Sequence, residues 1–218
     1  MQSIDAGPAV EYQAIEPADD SATKGGSPRR TPRSLRQTLR AATSESHARL
    51  HLHSGFAAIQ NGTIDLIDYR ALLIRLYGFH VAFEAAVGIA GERSAWLQDD
   101  LAALSADGTM PAAIPRCTLA PFDTPGRRLG ALYVIEGSTL GGRHLARNLD
   151  ALLGRAGSAG RRFFLGRGDD TDAAWNAFLT RLTFSAGTPS IAGEIVAAAV
   201  ATFGIFEEWL RGWRHLEV

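Results

Sequence analysis

The sequence predicts an all-α fold, and three observations carry that prediction. Apolar residues recur at helical three- and four-residue spacing through most of the chain after residue 33. Thr-Pro pairs at 31–32, 124–125 and 188–189 stand where three of those periodic runs begin. No convincing strand, hairpin turn or internal repeat interrupts them. A threonine hydroxyl accepts from backbone N–H groups left unpaired at a helix start, and proline at the first helical position removes a donor the helix does not need.

In chain order, residues 1–31 are expected to form a disordered tail. They hold Asp5, Glu11, Glu16, Asp19 and Asp20, then Gly25-Gly26-Ser27-Pro28 and Arg29-Arg30, with no apolar period able to offset ordering entropy. Residues 32–218 are expected to form one helical domain. Its first helix runs from Leu35 to about His53, with Leu35, Leu39, Ala42, Thr43, Ser46, His47 and Leu50 on one face. Ser54-Gly55 and Gln60-Asn61-Gly62 read as breaks. A long helix follows from Thr63 to about Ile89, with Ile67, Leu72, Leu73, Leu76, Tyr77, Val81 and Phe83 as its apolar positions. Gly91 ends it, and Ser94 to Leu104 is a shorter helix. Gly108, Pro111, Pro115 and Pro121 make a loop of residues 106–124.

The helix expected over 125–153 is unusual. Gly137, Gly141 and Gly142 stand in its centre, and each glycine costs a helix interior about 1 kcal/mol relative to alanine. A helix retains such a cost where the backbone must be bare or bent. Beyond it, residues 154–168 form a loop with Phe163-Phe164-Leu165 docked on the core. Thr171 to Phe184 is a helix burying Trp175, Phe178, Leu179 and Leu182. The last helix starts at Thr188-Pro189 and is sustained by Ile191, Ile195, Val200, Phe203, Phe206, Leu210 and Trp213.

Composition excludes several classes. A net charge of −1 gives no argument for nucleic acid or a membrane surface as partner. The single cysteine, Cys117, excludes an internal disulfide and a cysteine-cluster metal site, which suits a reducing cytoplasm. There is no signal-peptide pattern, and no unbroken apolar run of about 18–20 residues to span a bilayer. The basic residues are almost all arginine, so an anionic ligand would meet guanidinium groups.

Three readings of Gly137-Ser138-Thr139-Leu140-Gly141-Gly142-Arg143 fail or stay bland. A phosphate loop needs Lys and Ser/Thr where Arg143 and His144 stand. A nucleophile elbow needs its second glycine one place earlier. Gly137-x-x-x-Gly141 alone is compatible with close packing of another helix or a partner. Of the six histidines, His47 and His51 share a face, but no His-Glu-x-x-His or Glu-x-x-His occurs. His47 emerges from an apolar or small helix face with Arg33, Arg36 and Arg40 one or more turns before it. That setting suits a large planar ligand bearing both a metal and carboxylates.

Leu39-Arg-x-x-Thr43-x-x-x-His47 resembles the proximal-histidine motif of the heme oxygenases. Leu129-Gly-Ala-Leu-Tyr-Val-x-Glu-Gly-Ser-Thr-Leu-Gly-Gly142 is similar to the distal helix of their bacterial members, particularly those linked to bacteriophytochromes. The roughly 90-residue separation matches, as does the later Phe164-x-Gly166…Trp175-x-x-Phe178 segment. The resemblance covers about residues 33–213. It implies an all-helical fold holding heme b between a proximal helix and a glycine-kinked distal helix. His47 would be the iron ligand, with Arg40, Thr43, Tyr133, Gly137, Gly141 and Arg181 also at the heme. Gly137, Ser138, Gly141 and Gly142 would form the catalytic distal wall. The implied reaction consumes O₂ and electrons from a reductase or ferredoxin-type donor, yields biliverdin, CO and ferrous iron, and can supply a bacteriophytochrome.

One departure stands in the motif. Many family members carry an aspartate after the first glycine that organises proton-delivering water, and this chain has Ser138 there. A neutral hydroxyl holds a water without fixing it by charge. Two alternatives follow: a heme-binding or heme-sensing protein of the same fold without turnover, or a helical interaction module using Gly137 and Gly141.

Overall fold

A computed structural model describes residues 34–214, apart from 112 and 156. The proposed tail 1–31, the Thr31-Pro32 helix start and His215 lie outside the described residues. The described residues are helical and contain no strand. Their helices are α1 (Leu35–His51), α2 (Ser54–Gln60), α3 (Leu66–Val87), α4 (Glu92–Ala103) and α5 (Pro125–Asn148). They continue with α6 (Asp150–Leu153), α7 (Arg162–Leu165), α8 (Thr171–Ser185) and α9 (Pro189–Leu210), with a 3₁₀ turn at Gly168–Asp170.

The caps explain where the helices start. Thr124 Oγ1 accepts from Arg127 N and Thr188 Oγ1 from Ile191 N, each with proline next, so two of the three Thr-Pro starts hold. The cap of α1 is Ser34 instead. Its hydroxyl accepts from Gln37 N while the Gln37 side chain accepts from Ser34 N, a reciprocal capping box. Asp65 caps α3 by accepting from Asp68 N, so that helix begins at Leu66 and not at Thr63. Ser54-Gly55 opens the short helix α2 where a break was expected. The 125–153 helix divides at Leu149 into α5 and α6.

The core forms where α3, α5, α8 and α9 converge under α1. Phe79, Phe83, Leu129, Ile135, Phe178, Leu182, Ile195 and Phe203 pack into one cluster with Leu39 of α1. Each such side chain contributes about 1.5–3 kcal/mol on burial. A second cluster joins α3 and α4 to the far end of α5 through Tyr69, Leu72, Leu97, Leu101, Leu149 and Phe164. Ile67 and Val200, expected among the apolar contacts, are instead exposed, at 81% and 41%.

The most extensive helix pair is α5 with α9, and one glycine makes it possible. A Cβ on Gly130 would stand 2.1 Å from the Ile195 carbonyl oxygen, so only a bare backbone allows this approach. By length and composition alone the 22-residue α9 is apolar enough to cross a bilayer, with an 18-residue stretch of mean hydropathy 1.6, although Ser190, Glu194, Thr202, Glu207 and Glu208 interrupt its apolar run. Here it is the central core helix: Ile195, Ala199, Phe203 and Leu210 are buried against its neighbours.

Candidate functional site

The site is built on two helices that both lean on α9. α1 packs against α9 and carries Arg36, Arg40, Thr43 and His47; α5 packs against α9 and α8 and carries Tyr133, Gly137, Ser138 and Gly141. On a helix turning 100° per residue, positions 133, 137 and 141 form one stripe, as do 36, 40, 43 and 47. The α1 stripe comes near enough to α5 for its arginines to act on Tyr133. Burial pushes the Tyr133 hydroxyl up in pKa, and the charges of Arg36 and Arg40 on α1 oppose that rise.

His47 is solvent-reaching, with its ring edge-on to buried Phe203 of α9 at 6.5 Å and to His51 at 4.5 Å. Partial burial, then the neighbouring His51, hold its pKa below the usual histidine value. His47 is therefore neutral at neutral pH, the form whose ring nitrogen can ligate a metal. Thr43, one turn earlier, is buried and donates its hydroxyl to Leu39 O at 2.8 Å. It acts as packing for the wall and offers no free donor. Among the described residues no group of three or more His, Cys, Asp or Glu side chains is arranged to hold a metal ion. An iron held at His47 must bring its other ligands with it, as a porphyrin does.

The three glycines of α5 part ways. α5 remains α-helical through all of them. A Cβ on Gly141 would meet nothing within 4 Å, so open space lies over that position. Gly137 looks onto Trp175 of α8, whose ring stands 3.5 Å from the Cβ position and packs on Tyr133 at 5.6 Å. Gly142 is different: a Cβ there would lie 2.7 Å from Phe164 O, on the opposite side of the helix. A side chain at Gly142 would point at α7. Its bareness serves packing on α7.

Ser138 is exposed and donates its hydroxyl to Ile135 O at 2.8 Å; Thr139 donates to Glu136 O at 2.6 Å. Both hydroxyl protons are thus committed to the helix backbone. Only lone pairs remain to accept from a solvent molecule.

Among the described residues Arg36, Arg40 and Arg181 are exposed and in no ion pair, as are Arg116, Arg128, Arg147 and Arg155 elsewhere, whereas Arg49, Arg93, Arg127, Arg143, Arg161, Arg167, Arg211 and Arg214 each have a carboxylate partner. Arg181 lies over the ring of Phe178 on its own helix at 5.6 Å. Arg36 bears on Tyr133 at least as strongly as Arg40 does. A groove lined by Arg75, Cys117, Gly204, Glu208 and Trp209 lies elsewhere, beside α9. It contains none of these residues.

Sequence reasoning missed one feature next to the site. Glu136, immediately before Gly137, is held by Arg93 Nη2 at 3.0 Å and by Arg167 Nη1 at 2.9 Å. The only sequence signal was a carboxylate inside an otherwise apolar helical run.

The described residues define an all-helical protein that carries the candidate ligand-binding side chains on two helices packed against α9. A neutral histidine rises from one helix, open glycine backbone faces from the other, and unpaired arginines stand at the rim. Comparison with known proteins makes this specific. The chain belongs to the heme oxygenase family, whose sequence model matches residues 33–212. It is therefore a heme-degrading enzyme by family. It is 29% identical over 164 residues to a heme oxygenase of Xanthomonas campestris pathovar campestris, covering 70% of this chain and 94% of the relative. Its fold is similar to the heme oxygenase of Neisseria meningitidis solved with NO and CO bound, at a TM-score of 0.67 and 23% identity, over 85% of this chain and 94% of that one. It is also similar to a heme oxygenase of the cyanobacterium Synechocystis solved in complex with heme, at a TM-score of 0.65 and 18% identity, over 82% and 91% of the two chains.

Proposed function

We propose that this chain opens heme b to biliverdin, CO and ferrous iron at the site between α1 and α5. The observation that carries the reading is His47, solvent-reaching on α1 and edge-on to Phe203, with Arg36 and Arg40 of the same helix stripe close enough to act on Tyr133 of α5. Bound heme supplies the iron that activates O₂ and the porphyrin carbon that is oxidised.

The residues present fit that ligand. The uncharged His47 ring offers one nitrogen to iron. Arg36 and Arg40 lie within electrostatic reach of Tyr133, where they can pair with propionates beside the phenol, and Arg181 is a further cation on α8. Such pairs are charge-assisted and bidentate where geometry allows. Trp175, beside Gly137, and Phe203, beside His47, would give the ligand apolar walls. The open space over Gly141 leaves room for a diatomic ligand.

Proton delivery follows from the hydroxyl geometry. Ser138 Oγ accepts from a water and holds it near the glycines without giving up its own proton, which stays on Ile135 O. Protons therefore reach the site through water relayed from solvent past exposed Ser138. We place the enzyme in the cytoplasm, with a reductase or ferredoxin-type protein giving electrons. A bacteriophytochrome is the proposed receiver of biliverdin, on the likeness of residues 129–142 to phytochrome-linked members.

The test is a turnover assay on the purified chain with hemin, O₂ and an electron donor. Decay of the Soret band with growth of a biliverdin spectrum supports the reading. A Soret band that persists under reduction overturns the enzymatic claim and leaves a heme-binding protein.

A further inference from the structure

The segment from Gly160 to Arg167 runs along the back of α5 and touches it about once per turn. Arg161, 4% exposed, donates to Ala146 O at 3.0 Å. Phe164 lays its carbonyl against Gly142, and the Cα of Gly166 faces Thr139, whose Cβ is 3.8 Å from a Cβ built there. Arg167 then pairs with Glu136. The contacts descend through 146, 142, 139 and 136 as the segment ascends from 161 to 167. Positions 136, 139 and 142 lie roughly 200° round the helix from the heme-facing stripe of 133, 137 and 141.

The segment is itself tied down from the far side. Tyr69 donates its hydroxyl to Gly160 O at 2.6 Å. Asp100, fully buried on α4, accepts from Arg162 N at 2.6 Å and Phe163 N at 2.8 Å. Arg162 stacks over Trp96 at 4.5 Å. Arg167 Nη2 also pairs with Glu92 at 2.6 Å, and buried Arg93 reaches Glu136 from the same helix start. Glu136 is thus the point at which α4 and the segment both grip α5, one residue from Gly137.

We propose that Glu136 and Arg167 are positioning residues for the heme reaction: they close a brace that holds the glycine stretch of α5 in place against the bound ligand. The iron ligand and the rim arginines Arg36 and Arg40 sit on α1, so the brace governs the reacting side without supplying the main binding contacts. A low-stability opening of the stretch is the motion it suppresses. The inference rests on the site reading given above, and its test separates the two.

E136Q, R167A and R167K are compared with wild type and with D172N, which removes the exposed Arg143–Asp172 pair between α5 and α8. Amide hydrogen exchange is measured without hemin, and then hemin affinity, turnover and the carbonyl stretch of the ferrous-CO complex are measured with it. Expected for E136Q and R167A are exchange over residues 137–145 faster by about tenfold, a shifted or broadened CO band, and kcat lower by about fivefold with hemin affinity within about twofold. R167K restores most of these values, and D172N matches wild type throughout. Variants that lose thermal stability yet keep wild-type exchange over 137–145, CO band and kcat overturn the brace alone. A wild type that takes up no hemin overturns the site and the inference together.

Discussion

At the residue scale, chemistry at the two helices proposed to hold heme depends on which atoms remain free. His47 has a usable ring nitrogen because burial and His51 both disfavour its cation. His47→Ala is expected to abolish the ligated-iron spectrum of the hemin complex while leaving the far-UV circular dichroism unchanged, since His47 is exposed in the apoprotein. An unchanged spectrum would move the ligand to His51, its ring neighbour. Ser138 presents the opposite case. Its hydroxyl proton is held by Ile135 O, so Ser138→Ala loses only a weak water site. Turnover should fall by no more than about threefold, well below the roughly 10²–10⁴-fold ascribed to a positioned acid–base group. Steady-state rates under saturating electron donor decide this, and a hundredfold loss would make Ser138 a direct proton donor, the role that its hydrogen bond to Ile135 O argues against.

At the element scale, the α5 glycines show what a sequence reveals and what it hides. Their cost to the helix signalled that bare backbone was needed, and the long helix, its Thr124-Pro125 start and its partner histidine were all legible. Their separate purposes were not. Periodicity places Gly141 and Gly142 side by side in the chain but says nothing of what meets each one. Gly142 faces Phe164 because the segment 160–167, with the short helix α7 inside it, crosses there, and the path of such a connection depends on tertiary contacts such as Asp100 with Arg162 N. α2 was hidden for a related reason: Ser54-Gly55 reads as a break, yet the buried Gly55 packs on Leu72 of α3 and tolerates the helix. The parting of the glycines gives opposite expectations for two neighbouring substitutions. Gly142→Ala forces Phe164 O away and is expected to cost about 1–3 kcal/mol of stability in a denaturant titration. Gly141→Ala meets no atom and should gain a few tenths up to about 1 kcal/mol from helix propensity, while impairing O₂ or CO binding to the hemin complex. Equal effects of the two on stability would contradict the assigned faces.

At the scale of the whole molecule, two buried groups on neighbouring helices set opposing pH dependences. His80 of α3 is 2% exposed, and burial first and Arg93 second lower its pKa to about 3. Asp100 of α4 is fully buried, and burial raises its pKa to about 6 despite the backbone N–H groups of Phe163 and Arg162. Between these values the unfolded chain protonates the histidine while the folded chain does not, so His80 makes stability rise with pH from about 3 to 6.5. Asp100 works the other way. The folded chain binds its proton more tightly, so that contribution is full below the unfolded value of 3.8 and is lost as pH rises through about 6. Each slope approaches about 1.4 kcal/mol per pH unit, and in the shared window from about 4 to 6 they oppose one another. Asp100→Asn should therefore expose the histidine slope. The stability of the variant minus that of wild type is expected to rise with pH across about 4 to 6 and to level off above about 7. Loss of the Asp100 hydrogen bonds adds an offset but no slope, so it is the pH dependence, read from urea titrations at several pH values, that tests the assignment. A difference that stays flat from pH 4 to 7 would mean that Asp100 is ionised throughout. Its charge would then be held by the N-terminal amides of α7, the same contacts that anchor the segment bracing α5.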